Sequence, residues 1–556
     1  MVAVGVVAAS TSCLLPFMVA LWKDAWAPSP EPYPGPVVSS RELSEFPLSE
    51  LLGVLSFGVD LGMGQPMEHV LRQCLIALRM AEKIGLAAGD MEAVYFASLV
   101  AWVGCHVDAY EQAKWFGDDT VLKGDFRRVD LATASSGPLF VLRHLGSGRP
   151  LHQRVGMVPA FLGAGRRVAE SMLEVHWRAS DELMARLGLD QLVRDTVEQS
   201  FERWDGRGAP KGLKGNQILI TSRLVNLADV VEVFHASAGV GAAVSVARER
   251  RGSQFDPDLV EVFANTAEDL FKELDALSAW EAIVSAEPAS RYRLTNSELE
   301  AALEAISDFC DVKSPYTIGH SKGVASLVAA AAPSFGLDAA QATLVRRAAL
   351  VHDLGKLGVP NVVLDKVGRL SPSELERVRM HSYLTERMLS SSTGLIPMAA
   401  VAGQHHERMD GSGYPRGLSG GEISPGGRLL AAADSYHARL EPRPHRPART
   451  RDQAAEEVRA EVRAGRLDGD AVAAVLGSGG RRGSRRREWP AGLTGREVEI
   501  LRLIARGLSN RQIACELTIS PKTANAHVEH IYTKLGVNSR ALASLFAAKH
   551  GLITVE

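Results

Sequence analysis

Five histidines and two aspartates in the second half of the chain have the types and the order that a dinuclear metal site needs. They are His320, His352, Asp353, His381, His405, His406 and Asp434. Imidazole and carboxylate together suit first-row divalent metals such as iron, manganese or zinc. Two such ions, about 3.5–4 Å apart, activate water for in-line attack on phosphorus and stabilise the charge that develops. Because the chain has only 16 histidines, this concentration favours a metal site over scattered structural histidines.

The motifs around these ligands resemble those of the HD-GYP family, whose members are cyclic di-GMP phosphodiesterases or their relatives. The string HDLGK covers residues 352–356 and HHERMDGSGYPRGL covers 405–418, and the resemblance extends over about residues 300 to 478. It implies that the seven residues above bind two divalent transition metals (Fe, Mn or Zn) and that Asp353 and Lys356 are catalytic. The implied reaction is hydrolysis of a cyclic dinucleotide or a related phosphodiester.

The same resemblance implies which residues contact the substrate. Lys356 would meet a phosphate as a point charge, and Tyr414 would lie beside a guanine base or a phosphate. Arg443 and Arg446 stand where the family has phosphate-binding basic residues, although the family's RPYR string reads RPHR here. Some members hold a third metal through a Glu four residues before the first His. Tyr316 occupies that position here, so the resemblance favours two metals.

The chain contains an internal repeat. Residues 199–233 align without a gap with residues 404–438 at an offset of 205, which also pairs His381 with His176 and Asp434 with Asp229. Further upstream the offset is 251 and pairs His320 with His69. Self-similarity on this scale predicts two related domains in tandem. We name residues 46–285 copy one and residues 286–476 copy two.

Copy one lacks most of the ligand set. It has Ala101, Trp102, Ser200 and Phe201 where copy two has His352, Asp353, His405 and His406. It is also 46 residues longer between its HD position and His176. Three ligands of seven do not hold a dinuclear site, so we interpret copy one as a catalytically inactive duplicate whose ERWDGRGAP loop is a turn element. The alternative is that copy one still binds a nucleotide as a sensor.

The C-terminal segment has a different character. Residues 481–556 carry 10 Arg and 3 Lys against 6 Glu and no Asp, a net charge of +7 in a chain whose total is −3. This asymmetry predicts nucleic-acid binding. The pattern predicts four short helices: Thr494 caps the first, which Gly507 ends, Asn510 caps the second, and Ser520 caps a third that starts at Pro521.

Residues 492–553 closely resemble the LuxR-type helix-turn-helix. The resemblance implies that the third helix, 521–535, lies in the major groove of DNA. The implied DNA contacts are Lys522, Thr523, Asn525, Ala526, Glu529 and Lys534. The fourth helix, near 539–550, is apolar along Leu542, Leu545 and Phe546 and would make a dimer contact, or would simply close the core. The alternative for the whole segment is a small helical protein-interaction domain.

The remaining features bound the architecture. We expect an all-α protein: an apolar or disordered extension over 1–45, copy one, copy two, a basic Gly/Ser/Arg linker over 477–491, and a four-helix LuxR-type domain over 492–556. The five cysteines show no metal or disulfide spacing, which fits a cytoplasmic setting. Residues 1–22 carry no charge, but apolar length is the only support for a membrane anchor, so a membrane partner is not expected.

Two functions remain open. The first is a DNA-binding transcriptional regulator, expected to be a homodimer, that carries a metal-dependent phosphodiesterase acting on a cyclic dinucleotide. The second is a non-catalytic transcription factor in which the nucleotide changes DNA affinity and stays uncleaved. Turnover of the nucleotide separates the two.

Overall fold

The structure is a computed structural model that describes residues 45–130, 132, 136–288, 292–478 and 489–553. The expected N-terminal extension and almost all of the basic linker lie outside these residues. The described part of the chain is almost entirely helical, and its two strands, β1 (Phe46–Pro47) and β2 (Arg293–Leu294), form one short antiparallel pair. The all-α expectation is confirmed.

The described part of copy one contains eleven helices, several of which belong to its long insertion. They are α1 (Leu48–Gly62), α2 (His69–Lys83), α3 (Ala88–Val100), α4 (Ala109–Phe116), α5 (Asp119–Phe126), α6 (Ser136–His144), α7 (Leu151–Arg186), α8 (Gln191–Glu198), α9 (Ile220–Glu249), α10 (Pro257–Asp275) and α11 (Ala279–Ser285). Short 3-10 turns lie between them at Val103–His106, Gln199–Phe201 and Gly215–Gln217. Helix α9 is bent at Ala238 and Gly239, whose backbone angles are not helical.

Copy two repeats this order without the insertion. Its helices are α12 (Asn296–Asp311), α13 (His320–Phe335), α14 (Ala339–Val351), α15 (Asn361–Leu364), α16 (Pro372–Leu389), α17 (Ile396–Ala402), α18 (Pro425–Leu440), α19 (Arg451–Arg463) and α20 (Gly469–Ser478). Its 3-10 turns are Leu354–Gly358, Thr393–Leu395 and Gly420–Glu422. We name Leu354–Gly358, which follows the HD pair, the HD loop.

The C-terminal segment folds as the sequence predicts. After a 3-10 turn at Pro490–Gly492 come α21 (Gly495–Ala505), α22 (Asn510–Glu516), α23 (Pro521–Leu535) and α24 (Arg540–Lys549). The Thr494–Glu497 capping box and the Ser520 cap are both formed, and Gly507 has a φ of 76°. One prediction was wrong by a residue: Ser509 caps α22 and Asn510 is its first helical position, because the Ser509 hydroxyl accepts from Gln512 N–H.

A single apolar core runs through both copies and reaches into the C-terminal domain. Helix α1 of copy one packs directly on the HD loop of copy two, where a Cβ on Gly58 would lie 2.8 Å from Leu357 Cδ1. Leu542 and Leu545 of α24 belong to this same core. The remaining C-terminal helices have a separate small core around Ile504, Ile513 and Ile531.

Polar contacts also join the parts. Between the copies, Asn361 N–H donates to Asp119 Oδ1 at 2.7 Å, and Arg186 donates to Asp308 Oδ2 at 2.9 Å. Within copy two, Lys313 Nζ donates to the Leu357 carbonyl of the HD loop at 2.5 Å. Between α7 and the C-terminal domain, Arg178 donates to the Gly536 carbonyl at 2.6 Å and Lys549 pairs with Glu182 at 2.6 Å. The HD loop and the C-terminal domain are therefore both supported by copy one.

Among the described residues, one helix is long and apolar enough to cross a membrane, and a second candidate arises if the bent pair of helices from Ala88 to Phe116 is counted as one span. The first is α9, which packs against α2 and carries buried Asp229 and Glu232 in its interior. Apolar length alone is weak evidence for a span, since the core helix of a globular protein meets the same criterion.

Candidate metal centre

Five segments of copy two bring the seven candidate ligands together. His320 is the first residue of α13, His352 and Asp353 follow α14, His381 lies in α16, His405 and His406 follow α17, and Asp434 lies in α18. Four of the histidines (320, 352, 381 and 405) are 0% exposed, and Asp353 and Asp434 are 4% and 7% exposed. A buried carboxylate without a counter-charge is costly, so this pair of acids implies cations beside them.

Asp353 lies between two groups of ligands, one facing each of its oxygens. Its Oδ2 is 3.6 Å from His320 Nε2 and 3.4 Å from His352 Nε2. Its Oδ1 is 3.4 Å from His381 Nε2 and 3.6 Å from His405 Nε2. A carboxylate in this position can bridge two metal ions.

Asp434 and His406 complete the two groups. Asp434 Oδ1 is 3.1 Å from His320 Nε2 and 4.0 Å from His352 Nε2, and Asp434 Oδ2 is 4.0 Å from His406 Nδ1. The potential ligand atoms of His320, His352 and Asp353 lie within 4.8 Å of one another, as do those of His381, His405 and His406. All seven predicted ligands therefore converge on one site.

Three of these histidines are oriented by the backbone. The Nδ1 atoms of His352, His381 and His405 lie 2.7, 2.5 and 2.6 Å from the carbonyl oxygens of Ala349, Val378 and Ala402, each three residues earlier in the chain. Because a carbonyl oxygen only accepts, each Nδ1 carries the proton. Each Nε2 therefore presents a lone pair to the centre, as a metal ligand must.

The arrangement fits a cation better than a hydrogen-bonded network. His381 Nε2 and His405 Nε2 are 3.0 Å apart, although both rings have their proton on Nδ1, so two lone pairs face each other. His352 Nε2 and Asp353 Oδ1 are buried and have no hydrogen-bond partner. Buried polar atoms are normally paired, so these atoms indicate ligands for metal. Imidazole and carboxylate donors together suit a divalent first-row metal.

The charge states agree with metal binding. Burial opposes the ionisation of Asp353, but His352 and Lys356 outweigh it and hold the Asp353 pKa well below its usual value. Burial, and then the neighbouring histidines, lower the pKa of His405 and His406 well below the ordinary range. Ionised carboxylates beside neutral imidazoles are the state that coordinates metal.

His320 differs from the other ligands. Burial lowers its pKa, but Glu441, Asp434 and Asp353 raise it to about 10. Its Nδ1 lies 2.9 Å from Glu441 Oε2, so a carboxylate takes the place that a backbone carbonyl has at the other three histidines. Sequence reasoning missed Glu441. Glu441 follows α18 directly in an extended conformation, and no motif marks it.

Two of the predicted substrate-binding residues, Lys356 and Tyr414, lie directly beside the candidate ligands. Lys356 ion-pairs with Asp353 through Nζ and is partly exposed. The Tyr414 ring stacks at a tilt of 34° on His406, with ring centroids 4.7 Å apart. Arg379, which the sequence analysis did not single out, lies over the Tyr414 ring, with its guanidinium carbon 5.5 Å from the ring centroid.

The GYP loop is held by backbone hydrogen bonds to one buried carboxylate. Glu407 accepts from the N–H groups of Arg416 and Leu418 at 2.8 and 2.9 Å. A Cβ at Gly413 would lie 2.4 Å from Arg408 N, so only glycine fits there. Glu202 accepts in the same way from Lys211 and Leu213 in copy one. This agrees with the interpretation of the loop in copy one as a turn element.

The two predicted arginines have partners within the protein. Arg443 donates to Glu441 Oε2 at 2.8 Å and to the Tyr316 carbonyl at 3.0 Å. Arg446 donates to several backbone carbonyls, among them that of Ala438 at 2.6 Å and that of Glu441 at 3.1 Å. Both guanidinium groups stabilise the turn after α18, so a phosphate contact would have to replace some of these hydrogen bonds.

Copy one fills the equivalent site with its own side chains. His69 Nε2 is 3.2 Å from Asp229 Oδ1, matching the His320–Asp434 contact. The other oxygen of Asp229 ion-pairs with Arg127, whose guanidinium lies 3.9 Å from the centre of the Trp102 ring. Arg127 comes from the insertion, so it has no counterpart in copy two and the sequence analysis did not identify it.

Aromatic and sulfur groups occupy the rest of that position. Trp102 and Phe201 pack edge-on with centroids 5.5 Å apart, and Phe201 packs on His176 at 4.9 Å. Cys105 Sγ lies 3.2 Å from His176 Nδ1. Burial, and then Arg127, lower the pKa of His176 to about 3. An internal cation and apolar rings thus stand where copy two has its candidate metal ligands, which leaves little room for the alternative that this position binds a nucleotide.

The predicted DNA-contacting residues lie on the outer face of α23. The side chains of Lys522, Thr523, Asn525, Ala526, Glu529 and Lys534 are all exposed. Their helix is fixed from behind by Ala524, Val528 and Ile531, which are buried. Lys534 ion-pairs with Glu497 at 2.7 Å, so its contact with DNA would compete with this pair.

The comparisons with known proteins agree with this geometry. A family model described as "HD domain" matches residues 166–259 and 304–471, so it recognises both copies. A second model, "Bacterial regulatory proteins, luxR family", matches residues 491–547. The internal repeat and the C-terminal domain are thereby confirmed.

Similar proteins are curated as cyclic-dinucleotide phosphodiesterases. The chain is 33% identical over 413 residues to 3'3'-cGAMP-specific phosphodiesterase 3 of Vibrio cholerae serotype O1, covering 74% of this chain and 90% of the relative. It is 36% identical over 163 residues to a cyclic di-GMP phosphodiesterase of Thermotoga maritima, covering 29% of this chain and 44% of that protein. A crystal structure of the V. cholerae cyclic GMP-AMP phosphodiesterase V-cGAP3 superposes with a TM-score of 0.55 at 28% identity, covering 78% of this chain and 98% of that one.

Proposed function

Because the chain belongs to the HD-GYP family of HD-domain phosphodiesterases and carries a LuxR-family domain, we propose that it is a DNA-binding regulator whose copy two hydrolyses a 3',3'-linked cyclic dinucleotide. The observation that carries the proposal is Asp353, which has one histidine group on each of its oxygens and an orphaned buried atom at Oδ1. A hydrogen-bonded structural cluster would not leave these atoms unpaired.

Two divalent ions (Fe, Mn or Zn) would be held by His320, His352, Asp353 and Asp434 on one side and by His381, His405, His406 and Asp353 on the other. When bound, they supply the Lewis acidity and the activated water of two-metal phosphodiester hydrolysis. The chain's own contribution is orientation: three backbone carbonyls fix the imidazole tautomers, and the enclosing helices bury the ligands.

The substrate would meet the protein at Lys356 and Tyr414. Lys356 is partly exposed, so it can turn from Asp353 toward a phosphate oxygen. Tyr414 offers a ring face supported by His406, and Arg379 adds a positive charge beside it. An aromatic ring and cations are suited to a stacked base and a bridging phosphate.

The relatives divide between two substrates, cyclic GMP-AMP and cyclic di-GMP. The relative that this chain covers over 90% of its length is named as 3'3'-cGAMP-specific. We therefore expect 3'3'-cGAMP to be cleaved at least as fast as cyclic di-GMP. Both nucleotides are 3',3'-linked, so the metal centre would act on either. Contacts with the bases would then determine which nucleotide is preferred.

The test is purified protein loaded with Mn²⁺ or Fe²⁺ and assayed against 3'3'-cGAMP, cyclic di-GMP and linear dinucleotides. Turnover should require metal and should disappear in Asp353→Ala together with the bound metal. Metal-loaded protein that cleaves none of these substrates would defeat the proposal.

A second candidate, nucleotide sensing without turnover, is favoured by one contact. A Cβ on Gly319, the residue before His320, would lie 3.2 Å from the Ile553 carbonyl of the C-terminal domain. A ligand at the metal centre could therefore shift that domain. A nucleotide that alters DNA affinity and stays intact in a single-turnover assay favours the sensor, whereas cleavage favours the enzyme.

The LuxR-family domain implies DNA binding, and we propose that α23 makes it. Lys522 and Thr523 at its N-terminus would contact phosphate, Asn525, Ala526 and Glu529 would face bases, and Lys534 would contact the backbone. A homodimer on DNA is part of the proposal. The exposed face of α23 and the net charge of +7 over residues 481–556 support it.

A further inference from the structure

The carboxylate of Glu441 occupies a place that no motif of copy two assigns. Its Oε2 lies 2.9 Å from His320 Nδ1, on the side of the ring that points away from Asp353 and Asp434. It is 5% exposed, Arg443 donates to its Oε2 at 2.8 Å, and the ring of His437 packs beside it, with Nδ1 3.2 Å from Oε1. Its orientation is therefore fixed.

The position of His320 in its helix explains why a carboxylate is needed. His352, His381 and His405 lie within helices or directly after them, where the carbonyl three residues earlier is within reach of Nδ1. His320 is the first residue of α13, after Gly319 in the left-handed conformation. The carbonyl of Thr317, three residues earlier, accepts from the backbone N–H of His320 at 2.9 Å. A side chain must therefore accept from its Nδ1.

Copy one provides a natural comparison. His69 is also the first residue of its helix and also faces an aspartate, Asp229. The offset of 205 that aligns the two copies puts Ala236 at the position of Glu441. His69 Nδ1 is buried without a hydrogen-bond partner. The copy that has lost its metal ligands has thus also lost the carboxylate behind its first histidine.

The ring of His437 fits because its neighbour is a glycine. A Cβ on Gly323 would lie 2.0 Å from His437 Nε2, so any larger residue would displace the ring that supports Glu441. In copy one, the corresponding space holds an ion pair between Arg72 and Glu232 at 2.7 Å. The support of Glu441 is therefore particular to copy two.

We propose that Glu441 is a positioning residue that keeps the proton of His320 on Nδ1 and thereby makes Nε2 a metal ligand. The inference rests on the proposed function, since it assumes that His320 binds metal. An anionic acceptor behind a ligating histidine fixes its tautomer and raises its basicity, and loss of such a partner commonly costs about 10–100-fold in metal affinity.

The experiment measures metal affinity site by site in full-length protein. Wild type, Glu441→Ala and Glu441→Asp are titrated with Mn²⁺ against a chelator, and the spin-coupled EPR signal of a paired Mn²⁺ centre is followed. The matched control is Glu461→Ala, which removes the same charge from a glutamate of copy two that pairs with Arg466. We expect Glu441→Ala to weaken one of two ions by about 10–100-fold, to reduce the coupled signal, and to be partly rescued by Glu441→Asp.

A purely structural role predicts a different result. The melting temperature of metal-free protein would then fall in Glu441→Ala, and both ions would weaken together, which would overturn the inference. Unchanged affinities at both sites would overturn it as well while leaving the proposed function intact. Absence of metal from wild type would overturn both. If Glu441→Ala does not fold, Glu441→Leu replaces it, because a side chain of similar size without an acceptor should give the same selective weakening.

Discussion

At the scale of single residues, the internal repeat supplies matched pairs of positions for testing the metal centre. Asp434 and Asp229 occupy equivalent places, and each faces the first histidine of its copy, at 3.1 Å and 3.2 Å. The partner of the second carboxylate oxygen differs. Asp434 turns toward His406, whereas Asp229 pairs with Arg127.

We predict opposite effects for the two alanine variants. Asp434→Ala should lose metal and activity, by more than the 10–100-fold that an outer partner costs, because it removes a ligand. The Asp229→Ala protein should keep the metal of copy two but lose about 3–5 kcal/mol of stability, because Arg127 is left buried and unpaired. Metal analysis and urea denaturation of both variants provide the check. Loss of metal in Asp229→Ala would contradict the assignment of copy one as inactive.

Lys522 provides the residue-scale test of DNA binding. Lys522→Ala should weaken binding to all sequences alike and reduce the slope of log affinity against log salt by about 1, because one phosphate contact is lost. Lys549→Ala is the matched control, since Lys549 pairs with Glu182 on another face. Fluorescence anisotropy over a salt series measures both. A slope that is the same in wild type and Lys522→Ala would exclude Lys522 from the DNA contact.

Residue types identified the ligands but not their supporting partners. The seven candidate ligands, which the structure brings together, could be predicted because histidine and aspartate in this order have few other uses, and HDLGK and GYP are specific strings. Glu441 could not, because a single glutamate after a helix has no motif, and its role depends on His320 being at a helix N-terminus. Arg127 could not either, since it comes from an insertion with no equivalent in copy two.

At the scale of elements, the close approach of the HD loop to α16 defines the site. A Cβ on Gly355 would lie 2.1 Å from the His381 carbonyl, and in copy one a Cβ on Gly104 would lie 2.2 Å from the His176 carbonyl. Neither glycine has a positive φ, so the requirement is space rather than backbone conformation.

We predict that Gly355→Ala separates the HD loop from α16 and abolishes metal binding, since Asp353 and His381 then move apart. Gly104→Ala produces the same clash in copy one, where it should lower the melting temperature and leave the metal stoichiometry unchanged. Elemental analysis and thermal denaturation of the two variants test this. Full metal occupancy in Gly355→Ala would show that the loop tolerates the displacement.

The buried lysine under the HD loop gives an alkaline pH dependence. Burial lowers the pKa of Lys313 from its ordinary 10.5 to about 8. The unfolded chain therefore binds more protons than the folded chain between about pH 8 and 10.5, so this group makes stability rise with pH in that window. Relative to Lys313→Met, wild type should gain stability from pH 7.5 to pH 9.5. Urea midpoints at both pH values measure the difference, and a parallel response of the two proteins would refute it.

Local sequence signals predicted where the C-terminal helices begin and end, but they did not predict how the helices pack. Caps and turns placed α21 to α24 within about a residue, because Thr494, Ser520 and Gly507 act on adjacent backbone groups. The apolar face of α24 left two partners open, a second copy of the chain or its own core. In the structure, Leu542 and Leu545 pack into the core of the HD copies, which no local signal indicated.

At the scale of the whole molecule, the C-terminal domain and the metal centre meet within one residue of a ligand. Ile318, Ala505, Ala548 and Ile553 form a small apolar cluster between them, and Gly319 and His320 follow directly. A change in the seating of either part therefore reaches the start of α13.

We predict that Leu545→Ser loosens the contact between the C-terminal domain and the start of α13, because Leu545 packs α24 into the core of the HD copies. Hydrogen exchange should increase in α24, α12 and the segment 314–319, and Mn²⁺ affinity should fall by a few-fold, because the start of α13 loses support. The separate core around Ile504 and Ile531 should keep the C-terminal helices folded. Exchange mass spectrometry with a metal titration tests this, and unchanged exchange at 314–319 would argue against coupling.

Because Arg127 occupies the position of a metal ion in copy one, the two copies depend differently on the supply of transition metal. A covalently attached guanidinium cannot be removed by a chelator, so copy one should remain folded in a cell starved of transition metal. Since α1 of copy one supports the HD loop and α7 supports the C-terminal domain, the scaffold for both would persist. When transition metal is scarce, such a chain would lose nucleotide cleavage first and would still bind DNA. Gene regulation would then continue without hydrolysis of the nucleotide.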